Sequence, residues 1–338
     1  MEPVDVAIIG AGLAGIAAAS DCAMAGKRVV LIDKARGLGG RMATRRYETT
    51  RIDHGAQFFT ARTQRFKGIV ADLCLTGTAS VWSSGFPILR DGVITERDAG
   101  HPRYACAGGM SDLAKSLLAE GTPIRLGTQV TSIEVVRGES ATREQYAVLS
   151  GATTLCFAHS IILNMPPAQL MHVARYLLNA GEIRILEEIE MEPCWAIGGI
   201  LHQDIGLGAP ALECDHPVLS WVSRNHTRRF DMSAPLSVVI HTNAAWSKAH
   251  LEDEPSAVLH AVEQAMESIG LPIQWKGLPF VHRWRFAKPV CGLKTSVFCV
   301  ENHPSVFGVG DWCLGGRVEG AICSGWSAAE LVLSHLKS

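Results

Sequence analysis

The stretch VDVAIIGAGLAGIAAASDCAMAGKRVVLID, residues 4–33, decides how the chain is read. An apolar run, VDVAII at 4–9, predicts a strand. Gly10, Gly12 and Gly15 follow at once in the pattern G-x-G-x-x-G, here Gly10-Ala11-Gly12-Leu13-Ala14-Gly15. Leu13, Ile16, Ala17, Cys22 and Met24 then recur at helical spacing, and Gly26 closes the helix. RVVLI at 28–32 predicts a second strand, and Asp33 ends it. Strand, glycine turn, helix and strand make a βαβ unit, whose near-continuous apolar strands fit a parallel sheet covered on both faces. The glycines have separate tasks: Gly10 makes the tight turn, Gly12 admits a pyrophosphate to the backbone, and Gly15 lets helix and strand pack closely. Asp33, at the end of the second strand, stands where the fingerprint needs an acceptor for a ribose diol. The expectation is a dinucleotide-binding domain.

Outward from this unit the style alternates. Residues 108–136 repeat the scheme, with a glycine pair, a helix over about 110–119, a cap at Gly121, and strands near 123–126 and 129–136. SIILNMPP at 160–167 predicts a short strand stopped by prolines. From about 190 to 245 the runs WAIGGILH, VLSWVS and LSVVIHTN alternate with turn residues, which suggests an antiparallel sheet. Residues 255–269 predict a helix that starts at Pro255 and stops at Gly270. The last segment returns to strand, glycine loop and helix. The predicted fold is α/β: a discontinuous Rossmann-type domain (1–75, 102–165, 290–338) with an inserted α+β substrate domain on an antiparallel sheet (76–101, 166–289).

Bulk properties exclude several classes. The 338 residues suit two domains, and a net charge of −2 argues against nucleic acid as a partner. No apolar run is long enough for a membrane helix, and no signal peptide precedes the first strand. The ten cysteines form no C-x-x-C pair, so no metal site is expected, and reduced thiols in a cytoplasm are.

Two further motifs bear on the cofactor. In LIDKARGLGGRMATRR, residues 31–46, Gly39-Gly40-Arg41 comes just after Asp33. A glycine pair and an arginine there offer a second donor set to a second anion, because a guanidinium is a planar fork for phosphate oxygens. Near the end, GVGDWCLGGRVEGAICSGWSAAELV (308–332) places Gly310-Asp311 at the end of a strand and Glu319-Gly320-Ala321 at the start of a helix. Both resemble segments of the flavin amine oxidase superfamily. Over its whole length the chain resembles one branch of it, the renalase family, through AIIGAGLAG, DKARGLGGRMATRR, DHGAQFFTAR (53–62), GGMSDLAKSL, HRWRFA (282–287) and GDWCLGGRVEGA.

The resemblance implies a noncovalent FAD. It implies cofactor contacts from Gly10, Ala11, Gly12, Ala14, Gly15, Asp33, Lys34, Gly40 and Arg41. It extends these to Gln57 and Phe58 in the loop passing the flavin, Val130 beside adenine, and Gly310, Asp311, Glu319, Gly320 and Ala321. Cys313 does not match the pattern of covalent attachment. The implied activity is oxidation of NAD(P)H isomers carrying the hydride at ring position 2 or 6. Flavin takes the hydride and O2 reoxidises it, giving NAD(P)+ and hydrogen peroxide. Asn225, His241 and Trp284, with Gln57, are the implied substrate-pocket residues. A dihydropyridine needs no general base, since its ring nitrogen expels the hydride. It needs stacking, dryness and orientation. Two other readings stand beside it: an amine oxidase, for which Lys288 or Lys294 is the lysine to consider, and a flavin mutase or non-catalytic FAD binder. Arg45 and Arg46 stay open between the flavin, a phosphate-bearing substrate and solvent. Oligomeric state has no signature in the sequence.

Overall fold

The computed structural model describes residues 2–97, 99–136, 144–229 and 233–336. It divides into two compact units, Met1–Gly40, Ala114–Met191 and Lys288–Ser338 in the first, Arg41–Leu113 and Glu192–Ala287 in the second.

The first unit is a Rossmann-type sheet. Strand Val4–Ile9 lies between Val29–Ile32 and Thr153–Asn164, parallel to both. Ile124–Arg125 extends the sheet in parallel beyond Val29–Ile32, and Val306–Val309 pairs in parallel with the end of Thr153–Asn164. The first half of that long strand instead carries an antiparallel partner, Gln145–Ser150, which pairs in turn with Ser132–Val136. The helix Leu13–Met24 is buried along nearly its whole length, which suits its run of Ala, Gly and Leu. The C-terminal helix Val318–His335 covers it at backbone distance: a Cβ on Gly325 would stand 2.1 Å from the Ala14 carbonyl oxygen. A continuous core runs from Ala7, Ile9 and Ile32 through Ile161 and Leu163 to Trp312.

The second unit is built on a seven-stranded sheet in the order Phe280–Pro289, Met191–Ile200, Ser237–Thr242, Leu219–Arg224, Ala211–Asp215, Ile88–Arg90, Val93–Thr95. The inner strands pair antiparallel, as the alternating runs predict. One pair, Ala211–Asp215 with Ile88–Arg90, is parallel, so the sheet is mixed. The earlier segment enters the sheet at its far edge, next to a strand from much later in the chain. Helix Pro255–Ser268 lays Val258, Val262 and Met266 on a core with Trp195, Ile197, Val222 and Ile240. Two hairpins complete the unit, Thr44–Tyr47 with Thr50–Asp53 and Ala79–Ser83 with Arg103–Cys106.

The unit boundaries depart from those expected from sequence in two respects. Residues 41–75 and 102–113 lie with the second unit, because Ile52 packs on Val239 and Phe280 and Asp53 bonds to Arg229 and Met110. Residues 166–191 lie with the first, because Leu170, Val173 and Leu186 enter its core. Among the described residues no helix is long and apolar enough to cross a membrane.

Candidate functional site

The glycine fingerprint forms a tight backbone cradle. Gly10 adopts φ +109°, and its N–H donates to the Ile32 carbonyl at 2.7 Å. A Cβ on Gly10 would lie 2.1 Å from the Asn164 carbonyl oxygen, and one on Gly15 would lie 2.2 Å from the Gly10 carbonyl oxygen. Only glycine fits at either position. The Asn164 side chain closes the turn, its Nδ2 donating to Gly10 O at 2.9 Å. Gly12 caps helix Leu13–Met24 and offers no side chain to the first-turn amides, the arrangement that leaves a helix N-terminus free for an anion. Asp33 is fixed at both oxygens: Oδ2 accepts from Ala11 N at 2.5 Å and Oδ1 from Ala35 N at 2.6 Å. The Gly39-Gly40 pair folds back on the fingerprint. Gly39 N donates to Ala11 O at 2.8 Å, and a Cβ on Gly40 would stand 3.4 Å from Gly12 Cα. A dinucleotide's diphosphate and ribose suit this donor set and its lack of side-chain bulk.

The other first-unit residues fall around the same sheet. Lys34 is exposed, its Nζ 3.4 Å from Gln169 Oε1. Val130 precedes strand Ser132–Val136 with its side chain in the core. Gly310 follows strand Val306–Val309 and donates its N–H to Ser324 Oγ at 3.1 Å, and the Asp311 carbonyl accepts from Leu314 and Gly316. Glu319 is buried in the first turn of Val318–His335, where the helix dipole favours a carboxylate, with Gly320 and Ala321 beside it. Cys313 is buried, and that burial pushes its thiol up to about 12, so it is no nucleophile for covalent attachment. Lys288 and Lys294 are exposed residues of the same unit.

The second unit holds a buried polar network beneath an aromatic and imidazole cluster. Asp53, fully buried, accepts from Thr44 Oγ1 (2.6 Å), Met110 N (2.9 Å) and Arg229 Nη2 (2.8 Å), with Arg228 Nη1 at 3.5 Å. Arg228 is also fully buried. Its guanidinium lies over the Trp82 ring at 4.4 Å, and desolvation lowers it to about 10, still a cation at neutral pH. Gln57 donates to the Asp53 and Gly55 carbonyls at 2.7 and 2.9 Å. Its Oε1 accepts from Trp221 Nε1 (3.2 Å), Ser223 Oγ (2.9 Å) and Arg228. Asn225 accepts from Asp53 N (3.1 Å) and Arg228 Nη1 (3.2 Å) and donates to Arg51 O (3.0 Å) and Ser237 Oγ (3.2 Å).

The protein's own groups fill the donors and acceptors of both amides, and the pair holds the loop 53–57 in place. Phe58, half-buried, packs among Phe86 and Trp221 with the Arg103 guanidinium over its ring at 5.5 Å.

The cluster itself gathers on the His54 carbonyl, which accepts from Trp284 Nε1 at 2.9 Å and His241 Nε2 at 3.2 Å. A carbonyl only accepts, so His241 carries its proton on Nε2 and presents a lone pair at Nδ1. The His54 ring stacks on Trp284 (centroids 5.3 Å apart, 19° between planes) and meets His282 edge-on at 4.8 Å. His282 also stands edge-on to Trp284 at 4.3 Å. Burial holds His54 down to about 3, with help from His282 and Arg45, and His241 down to about 4. His282 is lowered too, by burial and by Arg45. All three imidazoles are therefore neutral at pH 7. His54 Nδ1 is buried without a partner. The fold thus brings Trp284 and His241 together on one carbonyl. Sequence reasoning left Arg45 open and did not single out His54, His282, Trp221 or Arg228 as members of this group. One signal was available: His282 and Trp284 are two apart on one strand and share a face.

Comparison with known proteins agrees with this architecture. Residues 8–73 match the model of an NAD(P)-binding Rossmann-like domain. Solved structures similar over the full chain include a protein assigned as a protoporphyrinogen oxidase, from Exiguobacterium sp. 255-15 (TM-score 0.77, 13% identity, 100% of both chains). Cyclohexylamine oxidase from Brevibacterium oxydans IH-35A (TM-score 0.72, 13% identity) is also covered over 100% of both chains. A putrescine oxidase with putrescine bound is similar too (TM-score 0.72, 13% identity, 98% of this chain and 99% of that chain). At these identities the likeness is one of fold.

Proposed function

We propose that the first unit is an FAD-binding domain, that the second handles the substrate, and that the protein oxidises NAD(P)H isomers whose hydride sits at ring position 2 or 6. The FAD is noncovalent. Gly10, Ala11, Gly12, Ala14 and Gly15, with Asp33, Gly39 and Gly40, would hold its ribose and diphosphate. When bound, FAD accepts a hydride and returns two electrons to O2, giving NAD(P)+ and hydrogen peroxide.

The observation that carries this reading is the character of the second unit's cluster. Trp284 and His54 form a stacked pair, three imidazoles are neutral, and Asp53, the carboxylate acting on His54, is already held by Arg229 with Arg228 beside it. Such a site suits a flat, uncharged ring that needs no base. Trp284 supplies the stacking face, and the His54 carbonyl fixes it in place. His241, with Nε2 committed, has Nδ1 available to accept from a carboxamide N–H. The buried network of Asp53, Gln57, Asn225 and Arg228 holds the loop so that these groups stay where they are.

A second reading, oxidation of a small amine or polyamine, draws support from the shared fold with putrescine and cyclohexylamine oxidases. It has less support in the cluster, where the carboxylate acting on His54, Asp53, is already paired with Arg229 and, among the described residues, no other takes part. The test is direct. The FAD-loaded protein is mixed anaerobically with 2-dihydro-NAD, 6-dihydro-NAD, putrescine or cyclohexylamine, and visible absorbance is followed before air is admitted and peroxide assayed. Rapid loss of colour with an isomer and none with the amines is the expected result. Loss with amines alone would replace this reading with the second. No loss with either would leave the protein as a mutase or an FAD binder. Ten cysteines without a disulfide among the described residues support a cytoplasmic setting.

A further inference from the structure

Arg45 lies on the first strand of the hairpin Thr44–Tyr47 with Thr50–Asp53. The hairpin pairs Arg45 opposite Ile52 and Arg46 opposite Arg51. Directly opposed residues share a face, so Arg45, Tyr47 and Ile52 lie on one side, and Arg46, Arg51 and Asp53 on the other. Ile52 is buried against Phe280, and the Arg45 guanidinium lies over the Phe280 ring at 5.0 Å. Phe280 in turn meets the His54 ring edge-on at 5.8 Å, so Arg45 stands at the rim of the imidazole cluster. Its charge bears on both His54 and His282, and lowers both.

Among the described residues no carboxylate or carbonyl meets this guanidinium. Glu48, at the hairpin turn, acts on Tyr47 but makes no ion pair with Arg45, and Asp53 is on the opposite face and held by Arg229. Two other charges act on the cluster: Arg228, also positive, lowers His241, and Asp53, already paired with Arg229 and Arg228, raises His54. Among the described residues the Arg45 guanidinium itself thus has no ion-pair partner, and the cluster it borders holds a buried His54 Nδ1 that lacks a hydrogen-bond partner. A guanidinium seated on an aromatic face is held in one plane, with its fork pre-oriented for two oxygens of an anion.

We propose that Arg45 is a specificity residue that binds a phosphate of the substrate, so that the second unit selects phosphate-bearing substrates over neutral and cationic ones. The inference rests on the reading of the protein as an oxidase of NAD(P)H isomers only for the identity of that substrate. The anion site itself stands on Arg45 and its surroundings.

The experiment uses the FAD-loaded protein and two readouts. The first compares 2-dihydronicotinamide riboside with its 5′-phosphate, the mononucleotide. The native protein should favour the mononucleotide by about 10- to 100-fold in kcat/KM, mainly through KM, as a charge-assisted pair would give. Arg45→Ala should bring that ratio to near one, Arg45→Lys should keep part of it, and Arg46→Ala should leave it as in the native protein. The second readout is equilibrium binding of ADP-ribose, with inorganic phosphate as competitor. Arg45→Ala should weaken ADP-ribose binding about 10-fold or more by the same reasoning. A mononucleotide preference that survives Arg45→Ala, or ADP-ribose binding unaffected by it, would overturn the proposal. So would inorganic phosphate binding as tightly as ADP-ribose, since the site would then serve the free ion. Should neither isomer be oxidised while ADP-ribose binding still depends on Arg45, the anion site is supported and the oxidase reading fails.

Discussion

The glycine cradle of the first unit and the imidazole cluster of the second solve different problems by different means. The cradle is made of backbone. Its turn at Gly10, the helix start at Gly12 and the return of Gly39 to Ala11 all come from one short stretch of chain, and only Asn164 comes from far away. The cluster is made of side chains drawn from the loop at 53–57, the strands Leu219–Arg224 and Ser237–Thr242, and the strand Phe280–Pro289. A backbone cradle tolerates no added atom. A side-chain cluster tolerates no lost partner. The two should therefore fail differently when altered.

The largest expected effect is in the second unit. Arg228→Met leaves Asp53 with one fewer cation and strips donors from Gln57 and Asn225, which should cost about 3–5 kcal/mol, as for other broken buried ion pairs. Thermal or urea unfolding checks it, and the fraction that remains folded should still be yellow. Gly15→Ala should behave in the opposite way. Its Cβ would meet the Gly10 carbonyl oxygen at 2.2 Å, for a cost of about 3 kcal/mol, with visible absorbance lost before the fold is. If the two variants lose colour and stability in the same proportion, the contrast between the regions is wrong.

Acid should reach the second unit first. His54 titrates at about 3 in the folded protein and ordinarily at 6.5. Between those values the unfolded chain holds the extra proton, so stability falls as pH falls through 6.5. By pH 5 the loss from His54 alone should be about 2 kcal/mol. Denaturation midpoints across pH 5–8 test this, and His54→Phe should flatten the curve. The smallest effect concerns one bond. Trp284→Phe keeps the stacking face but removes the N–H that meets the His54 carbonyl, for about 1 kcal/mol of stability. Turnover should slow by about 10-fold or less if stacking is what matters.

The same contrast explains what was legible in the sequence. Gly10, Gly12, Gly15 and Asp33 could be assigned because each role follows from local geometry, in which a turn, a close approach or a strand end admits few residue types. Trp284 and His241 could be singled out only through the family resemblance. The hydrogen-bond partners of Gln57 and Asn225 were not legible, because a buried amide and a ligand-facing amide look alike in one dimension. What separates them is whether Arg228, Ser223 and Ser237 have already filled their hydrogen bonds. The unit boundary at Gly40 was also hidden, since the hairpin that follows looks like a continuation of the glycine motif. Its allegiance is set by Ile52 meeting Phe280, a residue from near the other end of the chain.

The cluster should receive a dihydropyridine rather than an amine, and one stopped-flow measurement decides between them. The FAD-loaded protein is mixed without oxygen with 2-dihydro-NAD in one run and putrescine in another. Fast, saturable loss of flavin absorbance with the isomer, stoichiometric NAD+ and no change with putrescine are the expected results. Loss of absorbance with putrescine and none with the isomer would contradict the dihydropyridine reading.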